Sequence, residues 1–211
     1  MYLCQELAIG HRRRVVASGL SHHFRAGTLT LLTGRNGAGK STLLLTLAGL
    51  LPPLSPPSTL LLRDRPLASY DSRCLARLRA LVLTRCTPVE LRVRQVVEMG
   101  RMPHTAFDRR LTAGDQAAVD EALRQCSLTD YADRSFLRLS DGERQRVMIA
   151  AALAQEAPCL LLDEPTAFLD YDSRHHHFQL LRQLADQGRC VIVSTHDLDA
   201  ARPLADAELT L

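Results

Sequence analysis

A glycine-rich segment that ends in lysine, serine and threonine occupies Gly34–Thr42 and matches the pattern G-x-x-x-x-G-K-[ST]. Its glycines leave room for backbone N–H groups to surround phosphate oxygens. Lys40 is expected to reach the β- and γ-phosphates of a nucleotide, and the Ser41 hydroxyl to ligate Mg²⁺. The pattern therefore predicts a site for ATP and Mg²⁺ built from the whole segment: Gly34, Arg35, Asn36, Gly37, Ala38, Gly39, Lys40, Ser41 and Thr42.

Two adjacent carboxylates, Asp163 and Glu164, follow the apolar run Leu160–Leu162. Carboxylates at the end of a buried strand are costly unless a positive group lies beside them. Asp163 is expected to hold Mg²⁺, directly or through water, and Glu164 to polarise the water that attacks the γ-phosphorus. The pair could also simply cap the next turn, but the phosphate-binding segment upstream favours the catalytic interpretation.

Strand-like and helix-like stretches alternate along the chain, which predicts an α/β fold with a mostly parallel core sheet and helices on both faces. We expect a single domain over residues 1–211, with a helical subdomain over about 85–157. The predicted strands are Thr28–Thr33, Thr59–Leu62, Ala80–Thr84, Cys159–Asp163, Cys190–Ser194 and Ala207–Leu211. The predicted helices are 40–50, 93–128 and 171–187, with a stiff turn at Pro52, Pro53, Pro56 and Pro57.

The composition is that of a globular protein, with 46% hydrophobic and 23% charged residues. The net charge of +3 is too small to predict a nucleic-acid partner, and the run Arg12–Arg14 is interpreted as a solvated turn. No stretch reaches the ~18 apolar residues of a membrane span, and the first residues lack the order of a signal peptide. Six widely spaced cysteines without a CxxC pair indicate free thiols in a reducing compartment.

Several classes of nucleotide hydrolase share a glycine-rich phosphate-binding segment and a pair of strand-end carboxylates. The segment Leu139–Arg146 (LSDGERQR) distinguishes between these classes. It resembles the LSGGQ-type signature of ABC ATPases, and Ser140 and Glu143 alone would also form a helix capping box. In that family the signature closes over the γ-phosphate held by the other protomer. The resemblance therefore implies an ATP-hydrolysing homodimer in which Ser140, Asp141, Gly142 and Glu143 contact the partner's nucleotide.

Three further positions match the same family. Ala167–Asp170 resembles the D-loop, which implies a role for Asp170 at the dimer interface. His196 resembles the switch histidine that contacts the γ-phosphate, and His11 takes the place of the aromatic residue that stacks on adenine. By contrast, His175, His176 and His177 are expected on the surface of a helix and not as metal ligands.

Two segments resemble one branch of the family, the importers of iron–siderophore complexes, haem and vitamin B12: Gly100–His104 (GRMPH) and Glu143–Ala150 (ERQRVMIA). This resemblance implies membrane permease subunits as partners, with a substrate-binding protein acting indirectly. It also implies a location at the cytoplasmic face of the bacterial inner membrane, through the permease.

The sequence departs from the family pattern at several places. Arg85 stands where the family has the Q-loop glutamine, and a guanidinium cannot ligate Mg²⁺ because it has no acceptor. Asp141 replaces a glycine of the signature, and His11 offers less stacking area than a larger aromatic ring. Relatives usually continue beyond the equivalent of Leu211, so the chain is either naturally short or truncated. Two alternatives stay open: a soluble ABC-type clamp that dimerises with ATP, and a degenerate nucleotide-binding subunit.

Overall fold

A computed structural model describes residues 1–11, 14–54, 58–105 and 110–211, with the side chain of Asp172 left out. Most of the predicted solvated turn at Arg12–Arg14 and the Pro56–Pro57 part of the stiff turn therefore lie outside the described residues.

A five-stranded parallel sheet forms the centre of the molecule, in the order β6-β7-β8-β3-β9. Every residue of its three central strands is buried, as expected for a parallel sheet covered on both faces. All five strands point the same way, so their carboxyl ends share one edge. The bounds are β3 Leu29–Thr33, β6 Arg79–Val82, β7 Cys159–Asp163, β8 Cys190–Ser194 and β9 Ala207–Thr210.

A second sheet of four antiparallel strands, in the order β2-β1-β4-β5, was not predicted from the sequence. Its apolar side chains, such as Tyr2 and Ile9, join the core that also contains Leu43 and Leu44. The first two strands escaped prediction. The mixed polar pattern of β2 gives no clear alternation and most of β2 is exposed or half-buried, while shifts of register between Cys4 and Gly10 interrupt the alternation of β1. The strands are β1 Tyr2–His11, β2 Arg14–Phe24, β4 Thr59–Leu62 and β5 Arg65–Pro66.

Seven α-helices are described: α1 Lys40–Leu47, α2 Ser72–Leu78, α3 Val93–Glu98, α4 Ala113–Gln125, α5 Asp141–Ala154, α6 Tyr171–Asp186 and α7 Leu198–Ala201. The predicted helical stretch over 93–128 is two separate helices, α3 and α4, because a 3₁₀ turn at Met99–Arg101 ends the first. Helix α1 ends at Leu47, three residues before the predicted end. None of the helices in the described ranges combines the length and apolar character needed to cross a membrane.

The expectation that His175, His176 and His177 all lie on the surface was wrong for His177, which is buried. Helix α6 has a strong apolar face, and position 177 falls on it beside Phe178 and Leu181. The other two histidines are exposed, as expected.

Candidate functional site

The segment Gly34–Thr42, called the phosphate-binding loop below, leaves the carboxyl end of β3 and enters α1 at Lys40. Gly34 has φ 133°, and a Cβ there would lie 2.6 Å from the carbonyl oxygen of Leu211. Gly39 caps α1 in the left-handed region at φ 112°. Only glycine adopts these conformations without strain, so the residue types follow from the shape of the loop. The loop thus places the amino end of a helix, with its unsatisfied N–H groups, where an anion can approach.

Lys40 is buried and its Nζ donates to the carbonyl oxygens of Gly34 at 2.8 Å and Arg35 at 3.3 Å. The ammonium group is therefore already drawn to the loop, where a phosphate would meet it. Ser41 beside it is exposed, while Thr42 is buried and its hydroxyl lies 3.3 Å from His11 Nε2. His11, at the end of β1, is thus brought to the phosphate-binding loop, although the two are far apart in sequence.

Asp163 ends β7 and is almost fully buried. Its Oδ1 accepts a 2.6 Å hydrogen bond from the hydroxyl of Ser194, the residue paired with it at the end of β8. Its backbone oxygen accepts from Thr84 Oγ1 at 3.1 Å. Ser194 and Thr84 were not singled out from the sequence. Ser194 carried a signal, since it is the polar residue that closes an apolar strand just before Thr195 and His196.

Glu164 has φ 49°, an uncommon conformation for a residue other than glycine. Its N–H donates to the backbone oxygen of Ser194 at 3.0 Å, which holds the residue against the end of β8. The carboxylate then faces His196: Oε2 accepts from the His196 N–H at 3.2 Å, and Oε1 lies 3.3 Å from His196 Nε2. Burial raises the pKa of Glu164, while the nearby His196 and, more weakly, Lys40 oppose that rise.

The signature segment opens α5, and its capping box is present. The Glu143 N–H donates to Ser140 Oγ at 3.3 Å, and the Ser140 N–H donates to Glu143 Oε2 at 2.8 Å. These bonds hold the pKa of Glu143 below its ordinary value. Asp141 is exposed and pairs with Arg144 at 2.9 Å. A Cβ on Gly142 would lie 2.7 Å from the carbonyl oxygen of Phe168, so the D-loop segment packs directly on this end of α5.

Asp170 caps α6 by accepting from the Ser173 N–H at 2.8 Å, and this bond lowers the pKa of Asp170. Phe168 and Asp170 are exposed beside the signature segment. Arg85 is exposed as well and lines a cleft of about 280 Å³ with Asp141, Arg144 and Phe168.

The predicted residues therefore form two groups. Lys40, Asp163, Glu164 and His196 meet at the carboxyl edge of the parallel sheet, with His11 at its margin. The signature residues and Asp170 lie around the amino end of α5. Within the described ranges, no hydrogen bond or ion pair joins Ser140–Glu143 to the phosphate-binding loop of the same chain.

Comparison with known proteins identifies the family of this chain. The profile of the family described as "ABC transporter" matches residues 17–167. Over 206 residues the chain is 39% identical to the hemin import ATP-binding protein HmuV of Rhodococcus jostii, covering 97% of this chain and 69% of that protein. It is 44% identical over 184 residues to the cobalamin import ATP-binding protein BtuD of Halobacterium salinarum, covering 86% of this chain. There the chain spans only 45% of the relative's length.

A solved structure of an ABC transporter described as of the metal-chelate type, in an inward-facing conformation, superposes with a TM-score of 0.83 at 29% identity. The match covers 100% of this chain and 78% of that one. The α/β ABC cassette fold predicted from the sequence is thereby confirmed, and so is the prediction of an ATPase. The chain belongs to the ABC transporter family as an ATP-binding subunit, an ATPase that couples ATP hydrolysis to transport.

Proposed function

We propose that Glu164 is the general base of ATP hydrolysis in this chain and that His196 orients the attacking water and the γ-phosphate. The observation that carries the proposal is the placement of Glu164 and His196 in contact at the ends of neighbouring strands, beside Lys40. A carboxylate whose pKa is raised is a stronger base than an exposed carboxylate with an ordinary pKa. Before ATP binds, the Lys40 ammonium group is held in place by the carbonyl oxygens of Gly34 and Arg35. On binding, it exchanges these contacts for phosphate oxygens, so its positive charge is already positioned for the nucleotide.

The residues present also fit Mg²⁺. This ion prefers oxygen ligands, and Asp163 supplies a buried carboxylate whose Oδ1 alone is hydrogen-bonded within the described residues. Asp163 and the Ser41 hydroxyl would hold the ion, which would neutralise charge on the phosphates during transfer. Ser194 keeps the Asp163 carboxylate in one orientation through its 2.6 Å bond.

The complete site requires two copies of the chain. Ser140 and Asp141 are exposed at the amino end of α5, and among the described residues no hydrogen bond or ion pair joins Ser140–Glu143 to the chain's own phosphate-binding loop. In a homodimer, each signature segment covers the ATP bound to the partner's phosphate-binding loop. Both the signature segment and the loop then contact nucleotide. Residues 1–211 then act as a single domain, with the helices between β6 and β7, about 85–157, as a helical subdomain.

The Glu164→Gln variant tests this proposal. It removes the base but keeps the shape of the site, so ATP with Mg²⁺ should bind, turn over slowly and hold the protein as a dimer. Light scattering coupled to size-exclusion chromatography measures the mass. A matched Glu121→Gln variant, which alters an exposed carboxylate on α4 that bonds to Arg124 and Gln125, should hydrolyse ATP normally and return to monomers. A monomeric Glu164→Gln protein at saturating ATP and Mg²⁺ would contradict the two-copy site.

The transported substrate is a ferric chelate, haem or a corrinoid, taken up through integral membrane permease subunits that receive it from a substrate-binding protein. Support comes from the Gly100–His104 and Glu143–Ala150 segments and from the relatives named for hemin and cobalamin import. On this proposal the chain sits at the cytoplasmic face of the bacterial inner membrane. Deletion of the gene should impair growth on such a compound as sole iron or cofactor source. Loss of sugar or amino-acid uptake alone would contradict the assignment.

A further inference from the structure

The carboxyl end of α5 is held by a segment that the ATP site does not use. Gly100–His104 follows α3 and packs against the last turn of α5, where four backbone carbonyls of any helix lack partners within the helix. Arg101 Nη1 donates to the Ala154 oxygen at 2.7 Å, and His104 Nε2 lies 2.8 Å from the Gln155 oxygen. A Cβ on Gly100 would collide with the Ala151 carbonyl, so glycine is required for this close approach.

Arg101 is the centre of this contact and is 6% exposed. Its Nε donates to Asp115 Oδ1 at 2.8 Å, and Nη1 also pairs with Glu156 Oε2 at 2.6 Å. The side chains of Arg101 and Asp115 are only 8% and 7% exposed, so this ion pair is screened little by solvent. A buried guanidinium with partners on three sides has one available orientation. It therefore fixes α4 and the end of α5 relative to each other.

The same contact reaches the parallel sheet. Gln155 Nε2 donates to the Arg79 oxygen at 2.8 Å, at the start of β6, and to the Ala76 oxygen in α2. From α2, the Nε atoms of Arg73 and Arg77 donate to the Pro103 oxygen at 3.2 and 2.9 Å. The segment is thus anchored to α5 on one side and to the core on the other.

We infer that Arg101 and His104 are positioning residues for the signature segment and act through α5. A helix of 14 residues is about 21 Å long, so a tilt of roughly 5° at its carboxyl end displaces its amino end by about 2 Å. Ser140 and Gly142 stand at that amino end, and an error of about 1 Å in a positioned group can cost two orders of magnitude in rate. The inference rests on the proposed two-copy site. It assigns the Gly100–His104 segment a role in assembling that site.

The test uses the Glu164→Gln protein as parent, with dimer formation in ATP and Mg²⁺ as the readout. Adding His104→Ala should weaken ATP-driven dimerisation about tenfold, the effect of one good hydrogen bond. Adding His104→Gln, which restores an N–H donor near the same place, should recover most of the loss. Arg101→Lys keeps the positive charge but loses the planar guanidinium group that donates to several partners at once. It should weaken the dimer at least as much as His104→Ala.

Binding of ATP to the phosphate-binding loop should be unchanged in these variants. It can be followed as protection by ATP of Lys40, the only lysine in the chain, from an amine-reactive label. Arg94→Gln is the matched control, since it breaks an exposed ion pair between Arg94 and Asp120 in the same helical block. That control should dimerise like the parent.

Three results would overturn the inference. If the parent dimerises and the Arg101 and His104 variants dimerise equally well, the segment has no positioning role although the two-copy site stands. If dimerisation falls only in proportion to a lower melting temperature, and His104→Gln does not restore it, the segment serves stability alone. If the parent itself stays monomeric, the two-copy site fails and the role assigned to the segment fails with it.

Discussion

Glu164 carries the chemistry of this site in a backbone conformation that side chains other than glycine seldom adopt. The hydrogen bonds from its N–H to Ser194 hold it there, and the consequence is a carboxylate aimed at His196. Strained backbone at a chemically active residue is a recurrent feature of functional sites. At the residue scale, then, the position of the proposed base is set by a neighbouring strand and not by its own sequence context.

The pH dependence of hydrolysis should reflect this environment. The base works only when ionised, and burial raises the pKa of Glu164, so turnover should rise with pH through a midpoint above that of an exposed glutamate. His196→Gln removes a group that favours the ionised carboxylate, so the midpoint should move further up while turnover falls. His175→Gln, at an exposed histidine on α6, is the control and should leave the profile unchanged. An unshifted midpoint in His196→Gln would contradict the contact.

His177 should make stability depend on pH. Its Nδ1 donates to the Ser173 oxygen at 2.7 Å, and its Nε2 is buried without a hydrogen-bond partner among the described residues. Burial lowers the pKa of His177, so below pH 6.5, the ordinary value, the unfolded chain binds a proton that the folded chain resists. The free energy of unfolding should therefore fall as pH drops from 6.5 towards the folded-state pKa. Urea unfolding should show a flatter dependence in His177→Gln than in His175→Gln.

At the scale of elements, several helices, among them α4, α5 and α6, begin with side-chain caps, whereas α1, whose cap position is Gly39, begins without one. Thr112 and Asp115 cap α4, Ser140 and Glu143 cap α5, and Asp170 caps α6. Such caps stabilise a helix start by roughly 0.5–2 kcal/mol and set where the helix begins. In α5 the capping residues are also the signature residues, so one local arrangement both starts the helix and shapes the proposed contact with a second protomer.

Replacing each of two glycines in the first turns of these helices with alanine should change the stability of the protein in opposite directions. A Cβ at Gly142 meets the Phe168 carbonyl oxygen at 2.7 Å, whereas at Gly114 the nearest atom is Thr112 Oγ1 at 3.7 Å. Gly114→Ala should raise stability by up to about 1 kcal/mol through helix propensity, with ATPase activity unchanged. Gly142→Ala should lower both the melting temperature and ATP turnover, because α5 and the D-loop segment must separate. Equal effects of the two substitutions would contradict the packing described.

At the scale of the whole molecule, the exposed residue Arg85 lines the cleft that also contains Asp141, Arg144 and Phe168. Its neighbour Thr84 is tied to the Asp163 backbone, but Arg85 itself makes no hydrogen bond or ion pair with any described residue. An exposed guanidinium next to a proposed metal site is more stable turned away from the cation than beside it. We therefore expect Arg85 to serve contact with the membrane partner.

Replacing Arg85 should change the stimulation of ATP hydrolysis by transport more than it changes basal ATP hydrolysis. Arg85→Gln should keep ATP affinity near that of the native protein while altering the ATPase stimulation produced by transport in the assembled complex. Arg85→Ala should lower stimulation more than basal turnover. Both are measured as ATP hydrolysis with and without the permease and substrate. Abolished basal hydrolysis in isolated Arg85→Ala would place the residue in the active site instead.

The sequence alone determined the parts of this protein in which local chemistry dictates the residue type. The phosphate-binding loop, the apolar strands β7 and β8 and the capping box of α5 were readable because glycine, apolar and capping residues follow from backbone geometry within a few positions. The antiparallel sheet, the break between α3 and α4 and the burial of His177 were decided by the tertiary structure. Contacts such as Ser194 with Asp163 and Arg101 with the end of α5 join positions 31 and 53 residues apart. No local pattern encodes them, because they exist only once parallel strand ends and packed helices bring those side chains together.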